Sequence, residues 1–274
     1  MRRLINRRPG RTASVSLTIA PFLLVVVAYT LASAVRLAEN PNDKLLPAPS
    51  AFVDSMQRMA LEPDARTGTY IFWNDTAASL ERLAIGLTVG TGIGLVGGVA
   101  VGLIPYVTTT LRAAISVISV VPPLALLPIL FIVFGLGEVG KIVLIVIGIT
   151  PFLIRDLALR VGEIPFEQLI KAQTLGASTW QIITRVVLPQ IMPRLVDAVR
   201  LSLGPAWLFL IASEAIAATD GLGYRIFLVR RYLAMDVIIP YVAWITALAY
   251  MMDSSLRMLS RKAFPWAVTG EARS

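Results

Sequence analysis

The sequence predicts an all-α, polytopic membrane protein with about six transmembrane helices, and three observations predict it. Of 274 residues, 56% are hydrophobic and only 15% charged, with a mean hydropathy of +0.74. A soluble domain of this length carries nearer a quarter charged residues, so more apolar surface is present than a protein-only core hides. Stretches without charge recur along the chain at lengths that approach the roughly 20 residues a helix needs to cross the hydrocarbon core. The chain also contains no His and no Cys. That removes thiol and imidazole catalysis, Cys/His zinc sites and disulfides, so no catalytic residue, metal or cofactor is expected.

The charge-free stretches run over 12–35, 83–111, 113–137, 142–154, 201–219 (interrupted by Glu214) and 237–252. The shorter ones reach full length if a terminal charge snorkels to the headgroups. With the N-terminus inside, the inner segments hold 16 Lys/Arg and the outer segments 9, the latter offset by ten acids. Lys/Arg excess sets orientation, so both termini are expected in the cytoplasm. The basic pI of 10.2 is therefore a topology signal, and no soluble domain exists to bind nucleic acid.

Arg2, Arg3, Arg7, Arg8 and Arg11 precede the first span, which ends in Ala32, Ser33 and Ala34. That ending mimics a signal-peptide cleavage site, but the run exceeds a typical h-region, so a retained anchor is preferred over a cleaved signal. The outer segment 41–82 opens extended, because Pro47 and Pro49 bias their predecessors away from helix. Residues 50–61 follow as a short amphipathic helix with Phe52, Val53, Met56, Met59 and Ala60 on one side, ended by Glu62, Pro63 and Asp64. Asn74 or Asp75 is expected to cap the next helix. The organisation is thus 1–40, a basic segment and first helix; 41–82, outer segment; 83–266, a five-helix core; and 267–274, a tail.

Gly86, Gly90, Gly94, Gly98 and Gly102 form a row four residues apart in the second span. Such a row lets a neighbouring backbone approach closely. Packing within the chain is preferred over a surface where subunits or moving helices meet. Gly135, Gly137, Gly140 and Lys141 imitate nucleotide-binding glycine patterns, but position 142 is Ile and an apolar span precedes them. They read as a tight turn. Pro122 and Pro123 break the third span, as a kink or as the wall of a pathway. Glu214 is the one acid well inside a span, and it either touches solute or accepts hydrogen bonds from a neighbouring helix.

The segment 163–189 is the most informative. It reads as helix, glycine break, second helix and proline stop, with Pro165 opening the first helix and Gly176 at the position that needs positive φ. Ser178 caps the second helix, which Pro189 and Pro193 interrupt. Two short amphipathic helices of this kind suit docking into another protein's groove.

Gly176, Val186, Leu188 and Pro189 have the spacing of the EAA loop in inner-membrane permease subunits of binding-protein-dependent ABC importers, and the segment resembles that loop. Its front departs from the pattern, with Ile170, Lys171 and Ala172 where Glu-Ala-Ala stands, although Glu167 lies one turn earlier. Leu46-Pro47-x-Pro49, Ser79-Leu80-x-Arg82, Pro122-Pro123-Leu124, Phe134 to Glu138, Glu214 with Gly221 to Tyr224, and Trp266 are similar to the nitrate/sulfonate/taurine branch. The resemblance covers about residues 46–266.

It implies a type I permease-like core with no catalysis of its own, in the cell inner membrane. It implies partners: two cytoplasmic ATPase subunits, a second permease subunit forming a homodimer, a periplasmic or lipid-anchored solute-binding protein, and membrane lipid. Glu167, Lys171, Ala172, Gly176, Ala177, Ser178, Leu188 and Pro189 would then couple to the ATPase. The solute would be small and polar: nitrate, a sulfonate, taurine or a urea- or guanidine-like compound. The competing class is an ion-coupled secondary transporter, which needs intramembrane ionisable groups and finds only Glu214.

Overall fold

Among the residues described by a computed structural model (9–41, 43–65 and 67–267), the chain folds into eleven α-helices linked by short turns. The expected basic cluster Arg2, Arg3, Arg7 and Arg8 and the tail from 268 onward lie outside the described residues. Five helices are long and apolar enough to cross a membrane, and six spans result if one bent pair counts as a single crossing. The chain divides into two compact units.

The first unit covers the chain up to Tyr70, together with Val229–Pro240. Helix α1 (Arg11–Glu39) has 29 residues, which at about 1.5 Å per residue exceeds the hydrocarbon thickness. It buries only Ser33, whose hydroxyl donates to the carbonyls of Leu46 and Pro47. Tyr29 donates to the Pro47 carbonyl at 2.7 Å, so the extended proline segment is clamped along α1. Helix α2 (Pro49–Leu61) starts at a proline whose fixed φ suits the first turn. Its Phe52 ring lies 5.6 Å from Tyr29, and Ser55 donates to Asp236.

The second unit comprises Ile71–Leu228 and the chain from Tyr241 onward. Its axis is α3 (Ile71–Leu103), packed along α6 (Glu138–Gly162), with Leu83, Leu144, Ile145, Leu153 and Leu157 buried between helices. The second span was expected at 83–111, and the helix instead runs from 71 to 103. Asp75, Ser79 and Arg82 sit inside it, buried and each satisfied by a partner, so charge does not mark its start. Neither Asn74 nor Asp75 is a cap. The far end comes at Ile104, held extended ahead of Pro105, which opens α4 (Pro105–Ile118).

The third span is not one kinked helix. After α4 the chain turns at Pro122, makes one 3-10 turn over Pro123–Leu126 and enters α5 (Leu127–Phe134), bent 83° from α4. Two adjacent prolines remove two N–H donors and leave Pro122 extended, so the helix cannot pass. Gly135 (φ 78°) and Gly137 then make the tight turn into α6.

Helices α7 (Phe166–Thr174) and α8 (Thr179–Ile182) lead through a π turn at Ile183–Val187 into α9 (Leu188–Ala217). Pro189 and Pro193 were expected to stop the helix, yet it continues for 30 residues. The wide π turn takes up the mismatch, and Pro189 falls in the first turn of α9, where no N–H is needed. The fifth span is therefore longer than 201–219. Helices α10 (Leu222–Val229) and α11 (Met235–Ala263) complete the chain.

One polar cluster ties the elements of the second unit at the end where α6 begins. The Arg82 guanidinium bonds Glu138, Glu214 at 2.8 Å, and the side chain and carbonyl of Asp220. Glu214 is fully buried and also accepts from Ser79 and from the Gly223 N–H. Beside it Asp75 accepts from the Gly221 N–H, Arg225 and the Tyr241 hydroxyl. Gly221 has φ 113° and its Cα faces Glu214, so a side chain there would be both strained and blocked.

The glycine row supplies the α3–α6 contact. Gly86, Gly90, Gly94, Gly98 and Gly102 lie against Ile145, Ile149, Leu153, Leu157 and Val161 in turn. A Cβ on Gly94 would stand 2.6 Å from the Leu153 Cβ, whereas one on Gly92 meets open space. Gly94→Leu is expected to lose about 1–3 kcal/mol or more through overpacking, and Gly92→Leu to stay near wild type. Unfolding midpoints of the detergent-purified chain read the difference, and equal midpoints would contradict the close helix approach.

Candidate functional site

Two features at or near the α7–α8 end of the second unit bear on function. The first is the α7–α8 segment itself. Ser178 accepts from the Gln181 N–H while the Gln181 side chain accepts from the Ser178 N–H, a reciprocal cap that starts α8. Gly176 (φ 80°) provides the reversal between the helices, and Ala177 N–H closes it on the Ala172 carbonyl. One side of the segment, with Ile164, Leu169, Ala172, Ala177 and Leu188, packs on a core of Val99, Val161, Ile182, Val187 and Ile191. The other side leaves Phe166, Ile170, Leu175 and Trp180 exposed, Leu175 at 87% and Trp180 at 71%.

Glu167, Lys171, Gly176, Ser178 and Pro189 are also exposed on this segment, whereas Ala172, Ala177 and Leu188 belong to its packed side. The eight residues proposed from sequence thus fall into two sets with different work: one seats the segment, the other faces outward. The exposed apolar four were not singled out from sequence. Their spacing carries the signal, since 166 and 170 share one face of α7, opposite 169 and 172.

The second feature is a cavity of about 770 Å³ between α6, α9 and the broken α4–α5 element. Its walls include Pro123, Pro151, Phe152, Pro205 and Phe209, and its charged groups are Arg155 and Asp156. The Phe209 ring lies over Gly148, where a Cβ would not fit. Asp156 faces Arg160 at 4.0 Å. Arg155 is exposed and has no ion-pair partner among the described residues, so its guanidinium stands beside Asp156 in a cavity whose other walls are mostly apolar.

Of the pathway candidates, Pro123 lines this cavity, and Pro122 sits at the break beside it. Glu214 does not line it; it is spent on Arg82, Ser79 and Gly223. Arg155 was missed because it was treated as the end of a hydrophobic run. Positions 148, 151, 152, 155 and 159 follow the spacing of one helix face and could have revealed it.

Residues 86–264 match the family of binding-protein-dependent transport system inner membrane components. The chain is 32% identical over 265 residues, 97% of its length and 94% of the relative's, to the taurine transport system permease protein TauC of Escherichia coli. It is 28% identical, over 81% of this chain and 78% of the relative, to the aliphatic sulfonates transport permease protein SsuC of Bacillus subtilis, whose assignment is itself provisional. A bicarbonate transport system permease protein, CmpB of Synechococcus elongatus, is 30% identical over 70% of this chain and 69% of its own length. In fold, the chain is similar to a solved chain of the MetNI methionine ABC transporter in an inward-facing conformation, with TM-score 0.63 and 22% identity over 73% of this chain and 99% of that one. Helix content, spans and family match agree, and the chain belongs to the binding-protein-dependent transport system inner membrane components, as a multi-pass permease subunit rather than an enzyme.

Proposed function

We propose that this permease forms the pathway of an ATP-driven importer for a small solute with an anionic head, of the taurine or sulfonate kind. The single observation that carries the coupling is the two-sided α7–α8 segment: one side seated in the second unit, the other presenting Phe166, Ile170, Leu175 and Trp180. An apolar side chain of this size contributes about 1.5–3 kcal/mol when fully buried, so such a face suits a protein partner's groove. The partner in this reading is a separate cytoplasmic ATPase, present twice beside a homodimer of permeases, with both permease termini in the cytoplasm. A binding protein outside hands over the solute. Coupling requires the segment to bind the two ATPase states differently, since equal binding shifts nothing.

The cavity supports the solute class. Arg155, whose guanidinium is not engaged by Asp156 or by any other carboxylate among the described residues, favours a compact molecule with an anionic head, because an oxyanion gains charge-assisted hydrogen bonds there. The names of the taurine, sulfonate and bicarbonate relatives point the same way. An ion-coupled transporter has less support, as Glu214, the ionisable group it relied on, is neutralised by Arg82.

Trp180→Ala with Leu175→Ala is expected to lower recovery of the co-expressed ATPase by about 10- to 100-fold, in the range of interface hot spots, with an unchanged unfolding midpoint. Full recovery would remove the coupling assignment. Arg155→Leu is expected to cut ATP-driven taurine uptake into vesicles at least tenfold while ATPase recovery stays normal. Unaltered uptake would remove Arg155 from the pathway, and uptake driven by an ion gradient without ATP would overturn the importer itself.

A further inference from the structure

Helix α2 carries an apolar groove that the first unit does not fill. The groove has about 420 Å³, and its walls include Phe52, Val53, Met56, Leu61 and Pro240. Val53 is 56% and Leu61 69% exposed. Asp54 and Arg58 stand outside the groove and are exposed as well, so the helix has one apolar and one polar side.

Two attachments within the first unit fix the depth of α2, and the depth identifies what fills the groove. At its start, Tyr29 and Ser33 of α1 bond the carbonyls of Leu46 and Pro47, just ahead of Pro49. Both residues lie within two turns of Arg36, which ends the charge-free run of α1. Midway along α2, Ser55 donates to Asp236, and Arg58 stands 3.9 Å from the same carboxylate. Asp236 lies in the first turn of α11, one residue before its apolar stretch begins at Val237. Each attachment therefore marks the level where a span leaves the hydrocarbon. With its 13 residues, about 20 Å of helix, held to that level at two points, α2 lies along the membrane surface. Pro240 gives the groove its direction. It follows Asp236 by four residues, inside the apolar stretch of α11, so the groove opens on the hydrocarbon side of that carboxylate. Along the same run α1 exposes Phe22, Leu24 and Val25, and the lipid that covers them reaches the level of the groove. An amphipathic helix with its apolar side toward the hydrocarbon and its charges toward the headgroups is stable in the interface plane.

We propose that α2 is an interfacial helix whose groove is filled by acyl chains of the leaflet in which α1 ends, with Phe52, Val53, Met56 and Leu61 among the chains and Asp54 and Arg58 at the headgroups. The inference goes beyond transport and does not depend on the solute: it binds the segment that follows α1 to the membrane surface.

The chain contains no Cys, so a single introduced thiol is the only site a thiol-reactive fluorophore labels. Val53→Cys, Asp54→Cys and Leu24→Cys are each labelled in the full-length chain and reconstituted into phosphatidylcholine vesicles. Quenching is read with a nitroxide carried on the upper acyl chain and, separately, with iodide present on both sides of the membrane. Positions 53 and 54 are both exposed, so neither variant removes the Ser55–Asp236 attachment. The nitroxide should quench the label at position 53 several-fold more than the label at 54, and nearly as well as the label at 24 in the middle of α1. Iodide should quench 54 several-fold more than 53. Equal nitroxide quenching at 53 and 54, or equal iodide quenching there, would overturn the proposal. A label at 53 shielded from both quenchers would overturn the acyl occupant in favour of a second copy of this chain, since no other protein is present in the vesicles.

Discussion

A single guanidinium, that of Arg82, sits 5% exposed inside the helical bundle and meets three carboxylates, those of Glu138, Glu214 and Asp220. Removing charges from water costs several kcal/mol per ion, and only good geometry with further hydrogen bonds recovers it. The chain meets that demand from four elements. Arg82 and Ser79 come from α3, Glu138 from the start of α6, Glu214 from the end of α9, and the Gly221–Gly223 turn supplies backbone N–H groups at the start of α10. Arg82 therefore ties α3 to the start of α6 and to the end of α9. Gly221 is held to glycine by the same cluster, since its Cα faces Glu214.

From that anchored end, α3 and α6 run side by side without side chains between them on the α3 face. The glycine row brings the α3 backbone against Ile145 through Val161, down to the core on which α7 and α8 are seated. Val161 belongs to both contacts: it covers Gly102 and also lies in the core with Ile182, Val187 and Ile191. The charge cluster at one end and the α7–α8 segment at the other are thus joined by two closely packed helices. The cavity with Arg155 opens on the side of α6 away from this contact, against α9.

Much of this was legible in sequence because local chemistry dictated it. Gly176 at positive φ, the Ser178 cap and the Gly135 turn each follow from one residue's conformational limits. Helix ends were less legible, for a physical reason. Reading spans as charge-free stretches assumes that charges lie outside, and three charges escape the rule because Arg82 pairs with Glu214 and Asp75 with Arg225, each over more than 130 positions in sequence. Proline effects were only half legible: Pro122 and Pro123 break the third span, one of the two outcomes expected of them, while Pro189 enters the first turn of α9 behind a π turn and neither it nor Pro193 stops the helix. The exposed apolar face of α7 and α8 and the position of Arg155 depend on which side of each helix is already covered, and that is tertiary information.

The account stands most directly on the Arg82–Glu214 pair, and a double-mutant cycle measures it. Unfolding free energies of the detergent-purified chain are compared for wild type, Arg82→Met, Glu214→Leu and the combination. Arg82→Met leaves the buried Glu214 without its cation and should lose about 3–5 kcal/mol, and Glu214→Leu, which leaves Arg82 its pairs with Glu138 and Asp220, should lose less. The combination should lose clearly less than the sum of the two, because an apolar pair leaves fewer charges stranded. Losses that simply add would show that the two charges do not depend on each other, and would contradict the anchoring of the bundle by this pair.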